Sequence, residues 1–300
     1  MSTVALARPR PLSRERVVRG LWRTVLYVGI VAGTILFTFP FLWMIKSSVS
    51  PPAEVLLNPP RLLPSAIVWE NYYLPFERQP FATFYVNTAF VTITGMMGVI
   101  LSSSVVAFAL ARMRWPGRDK FFFVMISTLM LPAHVTLIPT YVGFAKGPEL
   151  VGLTGQGGWL NTFIPLLAPE WTGSPFIIFL MRQYMMTIPL EMDDAARIDG
   201  CGWFQLFWRI IMPLSAPVMG VAAIYSFQYH WNAFERPLIY LNRIDLFTVP
   251  LGMAMLNGRY GTDFGGLMAM STISLIPVMI VFFLAQRYFI QGVVVSGVKG

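Results

Sequence analysis

Charge is scarce in this chain. Only 12% of its 300 residues are Asp, Glu, Lys or Arg, while 56% are hydrophobic; a water-facing domain usually carries about 25% charged residues. So little polar surface cannot coat a globule, which excludes an ordinary soluble fold and leaves lipid as the solvent for much of the chain. Cysteine is scarcer still. The single Cys201 excludes an intrachain disulfide framework and, with only two histidines, offers no basis for a metal cluster. No G-x-x-x-x-G-K-[ST] phosphate loop occurs anywhere. The long apolar stretches also lack the paired carboxylates, metal-ligand sets or Ser/His/Asp sets that a membrane enzyme would need.

What charge there is sums to +8, and its placement carries more information than its sign. Arg8, Arg10, Arg14, Arg16, Arg19 and Arg23 precede the first apolar run, and Arg112, Arg114, Arg118 and Lys120 crowd one short loop. That distribution marks membrane topology. No basic patch interleaved with aromatics is present, so nucleic acid is not an expected partner.

A membrane helix needs about 20 mostly apolar residues. Uncharged windows of that size lie between Arg23 and Lys46, Arg78 and Arg112, Lys120 and Lys146, Arg209 and Glu235, and Asp263 and Arg287. A sixth, over 159–186, is broken by Pro165, Pro169, Glu170 and Pro175. A mid-bilayer carboxylate costs roughly 2.5–3.5 kcal/mol, so Glu170 is expected at the outer surface, with the span formed mainly by 174–186. Six spans put both termini on one side. The arm, the 112–120 loop, the 182–209 segment and the tail hold 15 Lys and Arg against seven in the other loops. The positive-inside rule therefore predicts cytoplasmic termini. The first apolar run is too long, and lacks the small-residue site, for a cleaved signal.

Two outer loops stand out. Pro51, Pro52, Pro59, Pro60 and Pro64 predict an extended, stiff connection over 50–80. Residues 246–258 are uncharged but too short to span, which leaves two readings open: a re-entrant element facing the pathway, or a hydrophobic loop packed on helix ends.

The longest polar stretch between spans reads TIPLEMDDAARIDGCGWFQLFWRIIMPLSAP over 187–217. Pro189 suits the first turn of a helix. Glu191, Asp193 and Asp194 crowd that end, where the helix dipole favours negative charge. Asp193 and Arg197, four apart, are placed to pair on the exposed face. Gly200 supplies a left-handed stop after two to three turns. A second segment, 202–212, runs on until Pro213 opens the next span. Ala195 and Ala196 form a small shelf beside the apolar Met192. Such a helix is either a docking element or an ordinary amphipathic interfacial helix.

This stretch resembles a known family. Asp194-Ala195-Ala196, three residues, Gly200, nine residues, then Ile210-Ile211-Met212-Pro213 is similar to the cytoplasmic signature of ABC-importer permeases, Glu-Ala-Ala, three residues, Gly, nine residues, Ile, any residue, Leu-Pro. The flanking Ile188-Pro189-Leu190-Glu191 and Ala196-Arg197-Ile198-Asp199-Gly200 resemble the carbohydrate branch, in particular the second permease subunit of maltose-type importers. Trp231-Asn232-Ala233-Phe234 with Pro237-Leu238, and the tail from Gln286 through Lys299-Gly300, agree. The departures are Asp194 for Glu, which shortens the reach of the carboxylate by one methylene, and Met212 for Leu, which conserves volume.

The resemblance implies an all-α polytopic fold of the ABC importer type I permease class, with a basic arm over 1–23 and a permease domain over 24–300. It implies a bacterial inner-membrane location. It implies a partner permease, a cytoplasmic ATPase dimer and an extracytoplasmic solute-binding protein around this chain, in membrane lipid. ATP and Mg would be used by the ATPase, with no cofactor on this chain. The coupling set would be Glu191, Asp193, Asp194, Ala195, Ala196, Arg197, Asp199, Gly200 and Pro213. The solute would be a sugar or oligosaccharide, with a glycerol phosphate ester as the alternative. A stand-alone secondary transporter is the reading from another class; it calls for paired intramembrane charges, which the five clear windows lack. His134, beside Pro132, is expected as a neutral histidine bonded to a neighbouring helix. His230, with Gln228 and Asn232, is the pathway candidate, and Trp231 is either part of that site or an interfacial belt residue.

Overall fold

The computed structural model describes residues 14–153, 157–258 and 261–297. Arg8 and Arg10 of the arm and Lys299 and Gly300 of the tail, which entered the reading above, lie outside the described residues. Four helical runs are long and apolar enough to cross a membrane unaided, and two bent pairs bring the number to six.

The first span, Arg14–Ser48, begins inside the basic arm. It lies along the sixth span, but no residue of its apolar window is buried, and Leu36, Phe37 and Leu42 are exposed. An apolar surface of this extent needs lipid or another membrane subunit around it. The second span, Phe81–Arg112, is the centre of the bundle and packs on the fourth and fifth. Two of its glycines permit that approach. A Cβ on Gly95 would lie 2.6 Å from the His230 ring, and one on Gly98 would lie 2.8 Å from Trp171.

The third, fourth and fifth spans break where the sequence has proline. The third consists of Arg118–Ser127 and Ala133–Leu150, bent by 102° across a break that contains Pro132, which has no N–H to carry a helix on. The fourth runs Ile164–Met185, with a tight 3-10 turn, Ala168–Thr172, and a left-handed Gly173 (φ +93°) before Pro175–Met185. The fifth joins Trp203–Leu214 to Ala216–Trp231 at 76°. Just before Pro213, residues Leu206–Ile211 widen to a π-helical turn, and the Met212 N–H reaches back to the Phe207 carbonyl. Widened turns of this kind recur at functional positions in helices. The sixth span is Phe264–Gly297. Asp263 Oδ1 caps its start, accepting the Gly266 N–H at 2.9 Å, and Arg78 approaches the other carboxylate oxygen at 3.5 Å.

The first of the two outer loops departs from expectation. The 50–80 connection is folded, with helices Pro52–Val55 and Glu70–Arg78. Glu54 gathers it by accepting from the Ser65 hydroxyl and N–H and from Arg61. The buried Asn71 amide donates to the Ser48 and Ser50 carbonyls at 3.0 and 2.9 Å. Prolines start or bend these short helices without forbidding them. Within 246–258, Val249–Ala254 is helical and buried against Phe81, Phe84, Ala269 and Met270. It lies a turn or two inside the end of the second span. There Asn87 donates to the Asp245 and Phe247 carbonyls, and Thr88 accepts the Val249 N–H. Its polar backbone is thus met by protein, the condition for non-spanning chain at membrane depth. A two-residue pairing, Asn257–Gly258 with Gly261–Thr262, follows.

Candidate functional site

The acidic helix forms as Glu191–Ile198. Glu191, Asp193 and Asp194 occupy its first turn, with Pro189 two residues ahead of it. Gly200 adopts φ +81°, and the Cys201 N–H bonds back to the Ala196 carbonyl at 2.9 Å, the six-to-one bond that closes a helix on a left-handed glycine.

The helix has two unlike faces. Asp193 and Ala196, three apart, are buried, and Ala196 packs into the core formed with Phe108, Met185 and Leu206. Glu191, Met192, Asp194, Ala195, Arg197, Ile198, Asp199 and Gly200 are exposed, Ile198 at 86%. Two expectations are corrected. The alanine shelf does not exist as one surface, because adjacent residues are about 100° apart around a helix; Ala195 faces out and Ala196 faces in. Nor do Asp193 and Arg197 pair. Asp193 turns inward to Arg112 at 3.6 Å, and Arg197 lies over the Trp203 ring, 4.1 Å from its centroid. Burial raises the Asp193 carboxyl above the usual carboxylate range against the opposing pull of Arg112. Pro213 lies in the last turn of Trp203–Leu214, exposed, at the bend into the rest of the fifth span.

Arg112 was legible only as a loop charge, yet its side chain is 1% exposed. From the last turn of the second span it donates to the Ile188 carbonyl at 2.8 Å, just ahead of the acidic helix. Arg182, on the fourth span, reaches the opposite way. It donates to the Leu110 carbonyl at 3.3 Å, lies 4.0 Å over the Phe122 ring, and approaches Asp119 at 3.8 Å. Each arginine thus holds a carbonyl at the end of the other's helix, and the two spans are cross-tied beside the acidic helix. Cationic groups are favoured at such carbonyl-rich termini.

The pathway candidates do not converge. Gln228 and Asn232 are exposed, with the Asn232 amide bonded to the Gln228 carbonyl at 2.9 Å. His230 points to the other side and is buried. Glu170 meets it there, and its expected outer-surface position is overturned. The Glu170 side chain is only 11% exposed, 2.6 Å from Arg236 and 3.5 Å from His230 Nε2. Arg236 also donates to the Pro165 carbonyl at 2.8 Å. The ion pair removes the penalty that argued against burying the carboxylate. Trp231 is no belt residue. It is buried, and its indole N–H donates to the Ser274 carbonyl of the sixth span at 3.1 Å. His134 does bond to a neighbouring element, Glu235 Oε1 at 3.0 Å, but in the open.

Residues 103–295 match the family described as binding-protein-dependent transport system inner membrane component. The chain is 34% identical to the arabinooligosaccharides transport system permease protein AraQ of Halalkalibacterium halodurans, over 92% of this chain and 96% of that one. It is 30% identical to the sn-glycerol-3-phosphate transport system permease protein UgpE of Yersinia pestis, over 90% and 95%. Its fold is similar to a chain in the crystal structure of a bacterial ABC transporter that imports the acidic polysaccharide alginate, with a TM-score of 0.72, 25% identity, and coverage of 94% and 100%.

Proposed function

From the premise that this chain belongs to the family of binding-protein-dependent transport system inner membrane components, we propose that it is a permease subunit of an ATP-driven importer for a sugar or oligosaccharide, coupled to a cytoplasmic ATPase through residues 187–213. It forms half of the translocation pathway beside a second, different permease. A solute-binding protein delivers the substrate on the far side. Both termini and the acidic helix face the cytoplasm, and ATP with Mg is bound and hydrolysed by the ATPase pair.

One observation carries the coupling role: the acidic helix is tied down on one face and bare on the other. The bare face offers Met192, Ala195 and Ile198 among the carboxylates of Glu191 and Asp194, a small apolar surface with an acidic rim for a partner cleft. The tied face hands any displacement to Arg112, and so to the second span. Arg182 carries it to the fourth. Closure of the ATPase pair on nucleotide would move this helix as a rigid element between two positions and switch access to the pathway. No chemistry is required of this chain.

Ala195→Trp tests the reading. The bulky side chain would stand on the bare face, so the variant should insert and fold, yet lose saccharide uptake and ATPase co-purification in mild detergent. Full uptake with the ATPase still bound would sink the docking role.

A phosphate ester fits less well. Among the described residues no Lys or Arg lines the cavity that contains Glu170, and Arg236 beside it is already bound to that carboxylate.

A further inference from the structure

A cavity of about 320 Å³ opens between the second, fourth and fifth spans, with Glu170, Ser174, Ser226 and His230 at its polar end and Phe176, Tyr225 and Tyr229 along its walls. The volume lies at the lower end of the range for small-molecule sites, about 300–1,000 Å³. The geometry points to a saccharide subsite on this chain, in which His230 Nε2 and Glu170 Oε2 hydrogen-bond to neighbouring hydroxyls of a neutral sugar while Tyr225 and Tyr229 face its apolar side. The subsite deepens the importer reading above and rests on it.

The hydrogen-bond inventory of the polar end supports this. His230 Nδ1 lies 2.7 Å from the Ser226 carbonyl, and a carbonyl only accepts, so Nδ1 carries the proton. That leaves the other ring nitrogen, Nε2. It is buried without a hydrogen-bond partner in a side chain only 4% exposed. Its neighbour, Glu170 Oε2, is 3.5 Å away, beyond a good hydrogen bond, and is itself an acceptor. The other carboxylate oxygen, Oε1, is held by Arg236 at 2.6 Å. Nε2 thus stands beside the carboxylate, buried and without a hydrogen bond. A buried polar atom left unmet is costly, and a sugar hydroxyl, which both donates and accepts, meets it in either role. An anionic solute brings more acceptors and is repelled by the carboxylate.

The walls fit the same ligand. Tyr225 and Tyr229 are half exposed, and Phe176 sits against Tyr225 with ring centroids 4.9 Å apart. Flat aromatic faces with a few placed polar groups are the usual make-up of such sites. The tyrosine side is open, where the second permease would complete the enclosure. Gly95 and Gly98 set the depth, since a side chain on Gly95 would occupy the place of the His230 ring.

The experiment is equilibrium binding of tritiated arabinotriose, maltotriose and lactose to the intact importer complex, purified without its solute-binding protein. sn-Glycerol 3-phosphate and an alginate trisaccharide serve as anionic comparisons. In liposomes the wild-type complex should transport at least one of the neutral sugars and bind it directly. His230→Phe, which keeps a flat ring but removes both ring nitrogens, should weaken that binding at least tenfold in the assembled complex. Tyr225→Ala, on the open wall and safe for folding, should weaken it three- to tenfold and decides the matter if His230→Phe fails to assemble. Unchanged affinity in the assembled variants, or transport of a neutral sugar without binding to the wild-type complex, overturns the subsite and leaves the importer reading intact. A wild-type complex that carries only the anionic solutes overturns the saccharide reading as well.

Discussion

Two sites in the helix bundle solve the same problem, a charge held among apolar helices, in opposite ways. At the acidic helix the charges tie neighbouring segments together. Arg112 spans Ile188 and Asp193, Arg182 spans Leu110 and Asp119, and the outer face of the helix stays bare. At Glu170 the charges are gathered inward, with Arg236 on one carboxylate oxygen and His230 near the other, around a cavity. The first arrangement suits the transfer of motion between elements, and the second suits the reception of a ligand. Both depend on side chains from segments far apart in sequence.

The comparison breaks first at Arg236. Arg236→Ala leaves Glu170 buried without its cation, and losing one member of such a pair costs about 3–5 kcal/mol. The purified protein should show a sharply lowered unfolding temperature by tryptophan fluorescence in detergent. The double variant Glu170→Gln, Arg236→Met should recover most of it. Arg112→Ala comes next. Hydrogen bonds to charged groups are worth about 1.5–3 kcal/mol, but the larger effect should be functional: uptake in liposomes falls tenfold or more while ATP hydrolysis by the assembled complex continues. A variant that kept its uptake would remove Arg112 from the transmission.

The acidic helix itself separates by face. Ala196→Trp forces an indole into the packing around Phe108 and Leu206 and should cost about 1–3 kcal/mol, in the range of core overpacking, whereas Ala195→Trp should leave the unfolding temperature unchanged. Equal losses would mean that the two faces are not distinct. The smallest effect belongs to Arg61→Ala. Its pair with Glu54 at 3.2 Å leaves Arg61 largely exposed, and exposed pairs contribute about 0.2–1 kcal/mol, so unfolding should be almost unmoved. Ser65 still holds Glu54, and those bonds are the main reason its carboxyl lies below the usual range.

Much of this was readable from sequence, for a physical reason. Hydropathy is a local property, so the six spans stood out, and the acidic helix was marked by Pro189, its first-turn carboxylates and Gly200 within a dozen residues. What escaped depended on distance. Arg112 and Arg182 were weighed only as topology charges because their acceptors are backbone carbonyls 76 and 72 residues away. Glu170 was assigned to the surface because a lone carboxylate in lipid is prohibitive, and its cation lies 66 residues on. A cue was present: Arg236 directly follows the fifth span, as Glu170 interrupts the fourth. Ala195 and Ala196 were grouped because they are adjacent, although helical periodicity already separated them.

The most direct measurement concerns the side of the membrane on which the bare face lies. Ile198→Cys in a Cys201→Ser background places one thiol at its most exposed apolar position. A membrane-impermeant maleimide should label it in inside-out vesicles but not in intact spheroplasts, with labelling suppressed when the ATPase pair is bound. Labelling from the outside, or labelling indifferent to the ATPase, would contradict the coupling role assigned to this helix.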